Sequence, residues 1–253
     1  MTSPPELPAW DSCWALFLDV DGTLLEIAQH PDDVHAGPRL TRLLAAACRS
    51  LDGALALVSG RSIASLDRIF APLCLPAAGL HGLERRDARG RVHYPEGYAG
   101  RIAAARGGLL DFVQSRPGLL LEDTGAALAL HYRGAPALED ECRRRIELAC
   151  EAAGEDFHVQ HGKMVFELKP SGSDKGTAVA DFMRETPFQG RRPVFVGDDV
   201  TDEDGFRAVN ALEGLSIRVG AGEGSAAHLV AADVSAVLDW LSHCLEQIDV
   251  AEE

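Results

Sequence analysis

Five short apolar runs punctuate the chain, at residues 14–20, 54–59, 73–78, 193–197 and 215–219. Each stops at a turn-prone or acidic group, as strands buried on both faces do. Most are separated by stretches with leucine and alanine at three- and four-residue spacing. These stretches predict helices over 38–50, 62–70, 175–184, 226–230 and 234–246. Strands alternating with helices predict a parallel sheet covered on both faces, an α/β core.

The middle of the chain has a different rhythm. Residues 99–115 and 135–153 read as helices. Residues 118–123 with 126–132, and 157–160 with 164–168, read as hairpins around Thr124-Gly125 and His161-Gly162-Lys163. That order, α-β-β-α-β-β, predicts a smaller α+β domain inserted into the larger one. Its limits are expected near 98 and 170, with turn-prone hinges at 95–97 and 169–172. The core then comprises 1–97 and 171–253. Residues 85–94 predict a small hairpin at the junction.

Composition narrows the partners. Among 253 residues there are 24 Lys+Arg against 39 Asp+Glu, a formal charge of −15. Such a surface repels nucleic acid and anionic membranes, so neither is expected as a partner. A small anionic substrate stays open, because a few cations can reverse the field within one cleft. The six cysteines are scattered, without a C-x-x-C pair or zinc spacing. The N-terminal residues lack a basic and an apolar signal region, and no run of about 18 apolar residues is present. These features lead to the expectation of a soluble, cytoplasmic protein. Oligomeric state is not encoded in any of them.

Candidate chemistry gathers where apolar runs end. Leu16-Phe17-Leu18-Asp19-Val20-Asp21-Gly22-Thr23 sends a strand into two aspartates and a turn-permitting glycine. In open parallel sheets ligands bind outside the carboxyl ends of strands, so both carboxylates are delivered to where a site forms. Gly197-Asp198-Asp199-Val200-Thr201-Asp202-Glu203-Asp204 packs five carboxylates into seven residues. Alone, this run could be an acidic helix start. Paired with Asp19 and Asp21 it suits a hard cation, Mg²⁺ rather than Ca²⁺ or zinc. Ser59-Gly60-Arg61 ends another strand with a hydroxyl and free backbone N–H groups before a helix, suited to a phosphate. Lys175 opens a helix, where a cation opposes the dipole unless an anion lies nearby. The run Gly220-Ala221-Gly222-Glu223-Gly224 lacks dinucleotide spacing and reads as a loop.

The four motifs in this order, D-x-D-G-T-L, S-G-R, D-K-G and G-D-D-x-x-D, resemble those of the haloacid dehalogenase superfamily of phosphohydrolases. The resemblance implies a doubly wound, Rossmann-like core with an inserted cap. It further implies that Asp19 is the nucleophile and forms an aspartyl-phosphate. Asp21 then serves as general acid and base, and Ser59, Gly60 and Lys175 hold the phosphoryl group. The same resemblance places Mg²⁺ on Asp19, the Asp21 carbonyl and Asp198, with Asp199 or Asp202 as a further ligand or a residue behind the ligands.

Three further segments carry the choice of substrate. These are Gly79-Leu80-His81-Gly82-Leu83-Glu84, the cap's closing strand Gly162-Lys163-Met164-Val165-Phe166-Glu167, and the full run G-D-D-x-T-D-E-D-x-F at 197–206. Together they resemble the trehalose-6-phosphate phosphatases. That likeness implies that Lys163, Glu167, His81 and Glu84 bind sugar hydroxyls. Lys163 and Glu167 have equal parity, which predicts one shared face with Met164 and Phe166 on the other. Arg61 can serve as a phosphate or sugar contact or form an ion pair near its helix start. The alternatives are another phosphosugar such as sucrose 6-phosphate or mannosyl-3-phosphoglycerate, a phosphosugar mutase, or a binding regulator without turnover.

Overall fold

The computed structural model describes residues 7–27, 34–94, 98–123, 125, 127–162, 164–222 and 224–251. The chain divides into two compact units, one comprising Met1–His93 with Asp174–Glu253 and the other Tyr94–Ser173. The expected hinge at 95–97 and Lys163 lie outside the described residues, as does Thr124 of the first cap turn.

The larger unit begins with β1 (Trp14–Leu18), α1 (Pro38–Ser50), β2 (Leu55–Val58), α2 (Ile63–Phe70), β3 (Ala77–Gly79), β4 (Glu84–Arg86) and β5 (Val92–His93). The smaller unit supplies α3 (Tyr98–Gln114), β6 (Leu120–Asp123), β7 (Leu128–His131), α4 (Glu139–Ala153), β8 (Phe157–Gly162) and β9 (Val165–Pro170). The larger resumes with α5 (Lys175–Phe182), β10 (Arg192–Gly197), α6 (Asp202–Ala211), β11 (Leu215–Val219), β12 (Leu229–Ala231) and α7 (Val234–Ala251).

The larger sheet runs β12-β11-β10-β1-β2-β3-β4-β5. It is parallel from β12 to β3, and β4 and β5 add on antiparallel. β1 sits between β10 and β2, where strand order reverses, and this is where an open α/β sheet parts to form a crevice. β1 is buried along its whole length. Its Phe17 packs against Phe182 of α5 and Phe188, with ring centroids 5.9 and 5.6 Å away. Burial of such side chains stabilises the unit by roughly 1.5–3 kcal/mol each.

Two expectations shift. Residues 226–230 do not form a helix; Leu229–Ala231 pairs parallel with β11 instead. Five residues cannot offset the cost of helix nucleation, whereas the exposed ladder of β11 offers hydrogen bonds at once. The strand expected at 73–78 starts only at Ala77. Pro76 immediately before it has no N–H to give a ladder.

The smaller unit has an antiparallel sheet in the order β6-β7-β9-β8. Its core gathers Phe112 of α3, Ile146 of α4, Tyr132, Phe166 and Leu168. Along β9, Phe166, Leu168 and Pro170 are buried, while Val165, Glu167 and Lys169 are half-buried on the other face. Met164 takes φ 65 in the turn, and the alternation along β9 starts at Val165.

The β4–β5 hairpin is more buried than a run reading Arg-Arg-Asp-Ala-Arg-Gly suggests. Arg85 pairs with Glu185 at 2.7 Å and lies over the Phe182 ring, and Arg86 donates to Leu75 O and Asp67. Asp87 accepts from the N–H groups of Arg89 and Arg91 and from the side chains of Arg91 and His93. Burial alone would raise its carboxyl; these donors, His93 first, carry it well below the ordinary carboxylate value. A depressed folded value gives stability that is present above the unfolded value of about 3.9 and lost as pH falls below it. Asp87→Asn therefore lowers the free energy of unfolding by about 1–3 kcal/mol at pH 7. In thermal melts the gap between variant and parent narrows below about pH 4. A gap that stays constant down to pH 2 would contradict this assignment.

Candidate active site

The turn after β1 and the loop after β10 interlock. Asp19 N–H donates to Val196 O at 2.9 Å, and Gly22 N–H to Leu25 O at 2.7 Å. Gly22 takes φ +82, and a Cβ there would overlap the Asp198 carboxylate, so only glycine lets the loops close.

Asp19 is delivered by β1 into a buried position, where its Oδ1 accepts from Lys175 Nζ at 2.7 Å. The same ammonium donates to Asp202 Oδ1 at 2.6 Å. Asp202 is fully buried, and its Oδ2 accepts the N–H groups of Asp198 and Asp199 at 3.0 and 2.9 Å. Lys175 stands at the first turn of α5, whose Asp174 caps the helix through Thr177. The unfavourable cation at a helix start is thus explained by two carboxylates. Oxygens of Asp19, Asp198 and Asp202 lie within 4.8 Å of one another.

Burial first, then Asp202, raises the Asp19 carboxyl to about 7, although Lys175 opposes the shift. Asp198 is raised by burial and by Asp202 and Asp199. Lys175 is held above its ordinary value: burial disfavours its charge, but the two carboxylates outweigh burial. One ammonium thus faces three clustered acids. A cation relieves that imbalance, and all-oxygen donors match a hard divalent ion.

Across the switch point, the loop after β2 carries Ser59, whose buried Oγ accepts from Arg61 N–H at 3.2 Å. Arg61 forms a two-point pair with Asp21, Nε to Oδ2 at 2.6 Å and Nη2 to Oδ1 at 2.7 Å. Its ion-pair alternative is therefore realised, with Asp21 as the partner. A cavity of about 350 Å³ is lined by Asp19, Asp21, Ser59, Gly60, Arg61, His81, Lys175 and Asp199. Ile27 and Thr201 complete the lining. Neither carries a chemical signal of its own in the sequence, although Thr201 lies within the acidic motif. Asp199 is exposed, and its Oδ1 accepts from Val200 N–H at 2.6 Å. Glu84 does not line this cavity; its Oε1 accepts from Ile63 N–H. Glu167 stands on β9 of the smaller unit.

A parallel sheet whose switch point carries these carboxylates has the haloacid dehalogenase fold. A phosphatase of that superfamily from Bacteroides thetaiotaomicron shares it, with TM-score 0.60 at 18% identity over 96% of this chain and 99% of the other. The trehalose-phosphatase family model matches residues 17–235; the chain belongs to that family and is an enzyme of that kind. Among its relatives, a trehalose-6-phosphate phosphatase of Escherichia coli K12 is 42% identical over 98% of this chain and 94% of its own. A probable trehalose-phosphate phosphatase of Sinorhizobium fredii is 50% identical over 82% of this chain and 78% of its own. The crystal structure of a trehalose-6-phosphate phosphatase related protein aligns with TM-score 0.73 at 28% identity, covering 94% of this chain and 99% of the other.

Proposed function

We propose that this chain hydrolyses trehalose 6-phosphate to trehalose and inorganic phosphate through an aspartyl-phosphate on Asp19, with Mg²⁺ as the metal. The observation that carries the reading is the buried Asp19–Lys175–Asp202 chain beside Asp198, with Asp19 and Lys175 lining a cavity.

The charges explain the roles. A carboxylate approaches an anionic phosphate only where cations offset both. Lys175 holds a phosphoryl oxygen and keeps Asp19 aimed, and Asp202 fixes Lys175. Ser59 and the Gly60 loop offer donors to the other oxygens. Asp19 and Asp198 would hold Mg²⁺ with the Asp21 carbonyl, and Asp199 stands near enough to the cavity to assist. When bound, the ion supplies charge neutralisation at the phosphoryl group. Asp202, whose two oxygens are already engaged, acts from behind them.

An Asp19 oxygen bonds to phosphorus as the bond from phosphorus to the sugar oxygen breaks. Asp21 gives that oxygen a proton. Water then attacks phosphorus, Asp21 takes its proton, and the bond to Asp19 breaks to release phosphate. The incoming phosphate competes for Arg61, and that exchange frees the Asp21 oxygens. His81, which lines the cavity, would meet the sugar. Sequence resemblance alone assigns Lys163 and Glu167 to sugar hydroxyls. All six cysteines are free, and among the described residues no helix is long and apolar enough to cross a membrane, which supports a cytoplasmic setting.

A panel of trehalose 6-phosphate, sucrose 6-phosphate, glucose 6-phosphate and mannosyl-3-phosphoglycerate, scored by released phosphate, tests the reading. Trehalose 6-phosphate should have the highest kcat/KM. EDTA should reduce turnover at least about 100-fold, the several kcal/mol expected of metal charge stabilisation. Magnesium should restore it. Faster cleavage of another ester would reassign the substrate, and binding without release would make the protein a regulator.

A further inference from the structure

The segment after β3 grips the Ser59–Arg61 loop by its backbone. His81 N–H donates to Ser59 O and Leu80 N–H donates to Arg61 O, both at 3.0 Å. Glu84 completes the grip by accepting the N–H of Ile63, the first residue of α2. The gripping backbone is itself strained, with Leu80 at φ 50 and His81 at φ 55. Non-glycine residues in that region cost about 1–3 kcal/mol each and persist where surroundings enforce them. Gly79 permits the approach: a Cβ there would sit 2.6 Å from Glu84 Oε1 and 2.8 Å from Arg61 O and Ile63 N. Glu84 is 6% exposed, so its carboxylate is spent inside the fold.

We propose that Glu84 is a positioning residue for the phosphoryl site and not a sugar ligand: through Ile63 it fixes the loop that presents Ser59 to phosphate and Arg61 to Asp21. This inference rests on the phosphatase reading but not on the identity of the sugar. A buried carboxylate that accepts a helix-start N–H sets where the preceding loop ends. Arg61 reaches Asp21 from that loop at 2.6 Å, so a displacement there moves the group assigned to proton transfer.

The experiment compares Glu84→Gln, Glu84→Asp and Glu84→Ala on two esters, trehalose 6-phosphate and p-nitrophenyl phosphate, which carries no sugar. Glutamine retains a side-chain oxygen at the same reach and accepts the Ile63 N–H. Aspartate keeps the charge but stops one methylene short. The expected result is loss of kcat by about 10- to 100-fold in the Asp and Ala variants, on both esters alike, with KM for trehalose 6-phosphate little changed. Glu84→Gln keeps kcat within about threefold on both. If Glu84→Ala does not fold, as judged by circular dichroism, the Gln and Asp variants alone decide. A loss confined to trehalose 6-phosphate, or a rise in its KM with p-nitrophenyl phosphate turnover intact, makes Glu84 a sugar ligand and overturns the proposal. Equal loss in the Gln and Ala variants also overturns it. A parent protein inactive on both esters removes the phosphatase reading and the inference with it.

Discussion

Asp19→Asn should abolish phosphate release, lowering kcat by at least about 10⁴-fold, the scale on which removing a nucleophile acts. The fold should survive. Asn has the same shape, and Lys175 retains Asp202, bonded at 2.6 Å, as its counter-charge. The substitution also removes one of three acids clustered around one ammonium. The raised Asp19 carboxyl shows that its ionised form is costly there without a cation. In metal-free buffer the variant's thermal midpoint should therefore equal or exceed the parent's. Mass spectrometry of the parent quenched during turnover should show a phosphate adduct on the peptide carrying Asp19, absent from the variant. Near-parental turnover in Asp19→Asn would sink the nucleophile assignment.

Lys175→Met should damage both activity and stability. The side chain is 3% exposed and bridges two buried carboxylates. Breaking one partner from a buried ion pair typically costs 3–5 kcal/mol, because the remaining charges lose compensation. Here Asp19 and Asp202 would face each other and Asp198 with no cation. Asp19 and Asp198, already raised in the parent, would hold protons more tightly in the folded state than in the unfolded state. Groups with raised folded values give stability that is present below the unfolded value and lost as pH rises through the folded one. The penalty in EDTA should therefore grow from pH 5 to pH 8, and magnesium should reduce it. Turnover should fall at least about 10³-fold at every pH. A variant as stable as the parent at pH 8 in EDTA would show that the ammonium does not hold the acids together.

Strand ends were the readable part of this sequence. The apolar run ending in Asp19 reads as a buried strand, and Lys175 at a helix start asks for an anion; both signals lie in near neighbours along the chain. Partners across the fold were not readable. Nothing near Arg85 announces Glu185, and Arg86 finds Asp67 nineteen residues away. Glu84 illustrates the limit: its place in a motif suggests the sugar, and neither its burial nor its bond to Ile63 can be read from its neighbours in the chain. Similarly, Arg61 can face phosphate or an acid as far as its neighbours in the chain show, and its pairing with Asp21 depends on the close approach of the β1 and β2 loops. In the sequence Glu203 is one more acid in a run. It accepts from Ser225 Oγ, Ala226 N–H and Arg218, tying the start of α6 to the chain leading into β12.

The larger sheet ends in very short strands: β12 has three residues and β5 two. Its long apolar strands all lie inside, each flanked by partners. Stubby borders present few free backbone groups for another molecule to extend in register. With a formal charge of −15 repelling like copies, the larger sheet should resist edge-to-edge growth between copies.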